Sequence, residues 1–461
     1  MQNGVFCLAN VGNVIQVKIQ KIYSQRCWLD DRLQEATLFI QDGRIASIQI
    51  GRPSSSEGLV DCGANVLMPG VIDAHVHINE PGRTDWEGFD TATRAAAAGG
   101  TTTLVDMPLN ASPVTTSAAA LQVKLAASKG KLNVHCGFYG GLVPQNLADL
   151  PDLLKSGILG VKAFLVHSGI DEFPNVGMQD LAAAMPLIAR AGLPLLVHCE
   201  WASGQHDQAL RAHPTHYAAY LQSRPKSWEN EAIARMIALC RQYRCPVHLV
   251  HLSSAEALDG IAAARQEGLP LTVETCAQYL FFEAENIPDG NTLFKCAPPI
   301  REKANNEALK TALATGLIDF IATDHSPAPP DLKAIESGNL QTAWGGIAGV
   351  QFLLPAAWSA LKDRLSLESF IPLVTSKPAQ FLKVAPRKGV LQVGSDADLV
   401  IWSPEKAYVV KKENILFRHS ISPYIGCQFF GAVRETYIQG TLVFQNQHLR
   451  AQNKGTWLMR P

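Results

Sequence analysis

Six side chains of this sequence can hold a metal ion or move a proton, and each interrupts or ends an apolar run: His75, His77, Lys162, His198, His251 and Asp324. His75 and His77 close the run 71–77, and two positions apart on a strand put both imidazoles on one face. Lys162 breaks Gly-Val-Lys-Ala-Phe, although a lysine is almost never buried without a partner. His198, His251 and Asp324 stand at the ends of the runs 193–200, 246–253 and 318–325. Each has a plainer reading. A lone histidine at a strand end is more often a hydrogen-bonded core residue, and Asp324 could cap a helix or be a satisfied core carboxylate. His135, His206 and His248 are assigned to that plainer class, His248 because it lies three positions before His251 and so faces the other way. Jointly the six argue otherwise, since four imidazoles, an amine and a carboxylate converging on one place each need a buried partner. Imidazole and carboxylate suit zinc or a related first-row ion. The set exceeds what one open catalytic zinc takes, which points to two divalent ions.

The elements that must position these groups have a clear rhythm. Short, nearly continuous apolar runs recur at 71–78, 101–108, 134–140, 161–166, 193–200, 246–253, 269–276 and 318–325. Helical, mostly Ala-rich segments lie between several of them, at 180–191, 229–241, 255–265 and 305–314. Strands apolar on both faces, alternating with helices, predict a closed parallel (β/α)8 barrel of the TIM type, whose chemistry sits at the C-terminal strand ends. An open doubly wound sheet is the rival, but no G-x-G-x-x-G follows the first strand. Two β-like regions flank the barrel. The first contains 14–19 (VIQVKI) and two alternating runs joined at Asp42-Gly43, a hairpin signal; the second contains 396–402, 407–410 and 432–443. The expected organisation is therefore a barrel over 67–387 and one discontinuous β-sandwich domain from 1–66 and 388–461.

Composition excludes more than it identifies. Lys+Arg 40 against Asp+Glu 41 carries no polyanion-binding signature, so no nucleic-acid partner is expected. No run of 18 apolar residues occurs, no signal peptide is visible, and the 10 cysteines include no CxxC pair, so a cytoplasmic protein with reduced thiols and no membrane partner is expected.

The motifs together resemble the amidohydrolase superfamily of metal-dependent cyclic-amide hydrolases over nearly the whole chain. The segments that carry the likeness are 69–77 (PGVIDAHVH), 160–164 (GVKAF), 197–200 (VHCE), 250–254 (VHLSS) and 322–327 (ATDHSP), in the family's order. The resemblance implies that His75, His77 and Asp324 hold one metal and His198 and His251 a second. It further implies that Lys162, carboxylated on its amine, bridges them with a hydroxide. An apolar slot lowers a lysine pKa, so a neutral amine is available for that carboxylation. The ligand positions are all filled, which argues against a non-catalytic scaffold. Within the group, dihydroorotases carry Arg at the position of Asn79, and hydantoinases usually lack Glu80-Pro-Gly-Arg83 and have Tyr where His167 stands. The stretches 80–89, 93–101, 106–110, 171–174, 344–349 and 419–424 look like the allantoinase branch. This implies hydrolysis of allantoin to allantoate in ureide degradation, with hydroxide bound by two metals, zinc by preference, and Asp324 as general acid and base. Substrate contacts implied by analogy are Asn79, His167, Ser168 and backbone near Ala297 and Gly345, although Asn79 could equally order its loop and for His167 packing beside Ser168-Gly169 in the loop is the preferred role. Glu80 and Arg83 are expected to pair with each other. Relatives are commonly homo-oligomers, so a dimer or tetramer is expected, with a small cyclic ureide as substrate.

Overall fold

The computed structural model describes residues 20–460. The run expected at 14–19 lies outside the described residues. The predicted barrel is present, its strands at Val71–Val76, Thr101–Asp106, His135–Phe138 with Gly140–Gly141, Val161–Phe164, Leu195–His198, Val247–Leu249, Leu271–Cys276 and Phe320–Ala322. Successive strands pair in parallel. The third is split at Tyr139: its first piece pairs back to the second strand, its second piece forward to the fourth. Between the eighth and first strands the ladder thins to an isolated Val76–His325 bridge, beside which the His77 amide donates to the His325 carbonyl at 2.7 Å. Almost every strand position is buried, which explains why the runs lack alternation.

The helix Met178–Ala191 shows how the surrounding layer forms. The Gly177 amide donates to Asp180 Oδ2 at 2.8 Å, capping the start, and Gly192 ends the helix in the left-handed region at φ 63°. Its buried residues Leu181, Ala184, Met185 and Ile188 recur at the helical period and face the barrel.

The flanks meet as expected, although as one continuous hydrogen-bonded sheet of nine strands. Lys21–Leu29, Arg32–Gln41, Arg44–Ile50 and Leu59–Asp61 join Leu399–Val409, Gln428–Ile438, Thr441–Gln445 and His448–Leu449 through Val66–Pro69, which pairs with both halves. Asp42 and Gly43, at φ 51° and 77°, make the predicted two-residue hairpin turn. Residues of both halves, among them Leu38, Leu67, Leu399 and Tyr437, share one core, as the two faces of a sandwich would. The segment Trp457–Leu458 leaves this sheet and pairs with His135–Phe138 of the barrel. No helix among the described residues is long and apolar enough to cross a membrane.

Candidate active site

His75 lies within the first barrel strand and His77 one residue past its end. Glu274, inside the seventh strand, accepts from His75 Nδ1 at 2.5 Å and leaves Nε2 as the free ring nitrogen. That nitrogen and His77 Nε2 both lie 3.2 Å from Asp324 Oδ1, and the three groups offer ligand atoms within 4.8 Å of one another. Asp324 stands two residues past the eighth strand at φ 45°, and His251 two past the sixth at φ 40°. A left-handed backbone at non-glycine residues costs about 1–3 kcal/mol and persists only where the surroundings enforce it.

The other imidazoles continue the arc. Ring centroids are 5.6 Å apart for His75 and His77, 5.5 Å for His75 and His251, and 4.6 Å for His198 and His251. His198 uses Nε2 on Glu200 Oε2 at 2.6 Å, so Nδ1 remains for a ligand. Lys162 is fully buried, its Nζ 4.8 Å from the Phe164 ring centre and without a hydrogen-bond partner.

Electrostatics follow from this burial. Desolvation pulls the Lys162 amine down to about 8, with Asp324 and Glu274 opposing, so a neutral amine is accessible near neutral pH. Desolvation lowers His77 to about 4 and His251 well below its ordinary value, keeping both imidazoles unprotonated and able to ligate. Burial alone would raise the Asp324 carboxyl, but His75, His77 and Lys162 hold it below its ordinary value. Three buried atoms in this cluster, Lys162 Nζ, His75 Nε2 and His251 Nδ1, have no hydrogen-bond partner. Buried orphans cost about 1–3 kcal/mol each, and a donor set of neutral imidazoles, a carboxylate and an unpaired amine fits a divalent-metal centre.

The cluster floors a cavity of about 320 Å³. His167, Ser168, Ala297 and Gly345 line it as the resemblance implies, together with Asn110, Tyr220, Arg224, Lys295 and Trp344. Asn79 does not line it: the residue is 1% exposed, left-handed at φ 66°, and donates to the Pro327 carbonyl at 3.2 Å. Of the two roles open to Asn79, this placement favours ordering the loop after the eighth strand through Nδ2, while its Oδ1 is buried without a hydrogen-bond partner. His167 is mostly exposed; its Nδ1 accepts from the Gly169 amide at 3.1 Å and its Nε2 approaches Asp171 at 3.3 Å. Ser168 Oγ donates to the Phe173 carbonyl at 2.7 Å. The expected Glu80–Arg83 pair does not form. Glu80 binds the Phe89 amide at 2.9 Å and Lys131, whereas Arg83 reaches Glu172 at 2.7 Å.

Several residues that sequence reasoning did not single out support this floor. Glu274 also accepts from His248 Nε2 at 3.2 Å and the His251 amide at 3.3 Å. Its signal was present, because an acid inside an apolar strand is as anomalous as Lys162. Lys333 is buried and donates to the carbonyls of Trp344 at 2.9 Å and Gly346 at 2.8 Å, fixing the backbone around Gly345. It lies in an irregular loop where no periodicity could mark it.

The chain matches the amidohydrolase family over residues 66–443. The chain belongs to the amidohydrolase family. Among this amidohydrolase's relatives are the allantoinase of Arabidopsis thaliana, 44% identical over 84% of this chain and 79% of its own, and that of Streptomyces avermitilis, 43% identical over 87% and 89%. The allantoinase of Saccharomyces cerevisiae is 40% identical over 82% of this chain and 83% of its own. Among solved structures, the L-hydantoinase (dihydropyrimidinase) of Arthrobacter aurescens superposes with a TM-score of 0.90 at 31% identity, covering 95% of this chain and 99% of its own. Divalent-metal binding belongs to the amidohydrolase family, and His75, His77 and Asp324 are placed close enough together that they could hold such an ion.

Proposed function

We propose that this amidohydrolase opens the hydantoin ring of allantoin, adding water across a ring amide to give allantoate. The observation that carries the reading is the Asp324 carboxylate, 3.2 Å from both His75 and His77 nitrogens on the floor of the cavity, in a chain 40–44% identical to several allantoinases. His75, His77 and Asp324 would hold one ion and His198 and His251 a second, zinc suiting the donor set, with Lys162 between them. When bound, such ions supply Lewis acidity, lowering the pKa of water toward about 7 and polarising a carbonyl.

The chain's own groups do the rest. Asp324, kept ionised by its imidazole neighbours, accepts a proton from the attacking water. As the carbon–oxygen bond forms and the ring carbon–nitrogen bond breaks, the same carboxyl returns that proton to the leaving nitrogen. Glu274 and Glu200 hold the His75 and His198 rings in one orientation each. Carboxylation of Lys162 joins its neutral amine to carbon dioxide with loss of one proton, converting an unpaired amine into an anion fit for two cations. Backbone at Ala297 and Gly345 is the candidate for holding the ring. The resemblance also supports a homo-oligomer, which sedimentation reads directly.

The test is a panel of allantoin, dihydroorotate, hydantoin and dihydrouracil. Allantoin should have the highest kcat/KM. Ring opening of dihydroorotate but not allantoin would overturn the reading, and preference for hydantoin or dihydrouracil would move the chain to the hydantoinase branch.

A further inference from the structure

Arg224 enters the cavity from the turn that precedes the helix Lys226–Tyr243. Two of its nitrogens are committed: Nε donates to Glu200 Oε1 at 2.9 Å and Nη2 to Glu200 Oε2. Among the described residues no acceptor is bound to Nη1, so its two N–H groups are unclaimed in a residue that lines the cavity and whose guanidinium carbon lies 5.9 Å from the Trp228 ring centre. Glu200 is fully buried and also takes His198 Nε2, so the guanidinium is pinned to the same carboxylate that orients a candidate metal ligand. Beside it, Lys295 Nζ lies 5.5 Å from the Tyr220 ring centre and donates to the Ala343 carbonyl at 2.5 Å, closing that wall.

We infer that Arg224 is a specificity-determining residue, donating from Nη1 to the carbonyl of the ureido arm that the substrate carries outside its ring. This rests on the allantoin reading. Arg224 is paired with Glu200, so its own charge is compensated and it presents a directed donor, while Lys295 beside it adds a cation to the same wall. A neutral carbonyl is served by such a directed N–H donor. The pinned guanidinium loses little rotamer freedom when the arm binds. A site built to donate to a substrate oxygen also disfavours an analogue without it, since that hydrogen bond is then lost.

The competing role is purely structural, with Arg224 acting only through Glu200 on His198. Arg224→Lys separates the two, because lysine keeps the ion pair but cannot present Nη1. The readouts are kcat and KM for allantoin, the binding constant of hydantoin (the same ring without the arm), and metal per chain. The expected result is a loss of about 10- to 100-fold in kcat/KM for allantoin, with hydantoin binding changed at least about tenfold less and metal content retained. Equal losses for both ligands overturn the inference. An independent arm uses the wild-type enzyme with 5-propylhydantoin as competitor. It should bind at least about tenfold more weakly than allantoin, and equal binding overturns the inference whether or not the variant folds. A wild-type enzyme that leaves allantoin intact defeats the functional reading, whereas equal losses in an allantoin-active enzyme defeat only the role of Arg224.

Discussion

Asp324 touches two imidazole nitrogens and carries the proton in the proposed reaction, so removing its charge should separate chemistry from ligand binding. Asp324→Asn is expected to lower kcat by at least about 10³-fold while most of the bound metal remains, read by steady-state kinetics and elemental analysis of the same sample. An active Asn variant would refute the assignment. Glu274 acts one step back, through His75, His248 and the His251 amide. Glu274→Gln should weaken metal affinity by about 10–100-fold in equilibrium dialysis, with kcat recovering at saturating metal. The six candidate ligands were legible because a charged or ligating group amid apolar strand residues demands a partner. Glu274 carries the same signal, in Leu-Thr-Val-Glu-Thr-Cys. Arg224 was not legible: it precedes Pro225 in a turn, and only the folded chain brings it to Glu200.

At the level of elements, the irregular stretch between the eighth strand and the following helices shapes one wall of the cavity. Lys333 fastens it by donating to main-chain carbonyls of residues 344 and 346, and Gly346 permits the close approach, since a Cβ there would lie 2.3 Å from the Ser326 carbonyl oxygen. Lys333→Met should strand these carbonyls at about 1–3 kcal/mol each and release the Gly345 backbone. KM for the substrate should rise several-fold, about 3–10-fold, with kcat changing less. An unchanged KM would mean that the wall holds without the lysine. Strands and helices were readable from periodicity, and the Asp42-Gly43 turn from its residue types. The wall was not, because loops that carry sites follow no period and are held by single contacts such as Lys333 and the Asn79–Pro327 hydrogen bond.

Across the whole molecule, the barrel and the nine-stranded sheet are joined at Asp398. Its carboxylate binds Lys388 at 2.5 Å, His135 of the third barrel strand at 3.3 Å and the Gln439 amide at 2.9 Å. Burial would raise its pKa, but His135 and Lys388 hold the carboxyl below its ordinary 3.8. A depressed folded-state pKa contributes stability above the unfolded value and loses it as pH falls below. Asp398→Asn should therefore cost about 3 kcal/mol near neutral pH, and its gap to wild type in thermal unfolding should narrow below about pH 4. A gap that does not change with pH would show that packing alone joins the two parts. The union of the two flanks could be inferred from their shared β character, but this anchor could not, since Asp398 and His135 are far apart in the chain. The seam of the barrel has a mechanical consequence. Where the ladder shrinks to the Val76–His325 bridge, His75 and His77 stand on one bank and Asp324 on the other. An ion gripped from both banks would be a hoop around the staves, and chelation of the metal-loaded protein should loosen the cask there first. Backbone amides of residues 71–77 and 320–325 should then exchange hydrogen sooner than those of 195–198, long before the protein as a whole comes apart.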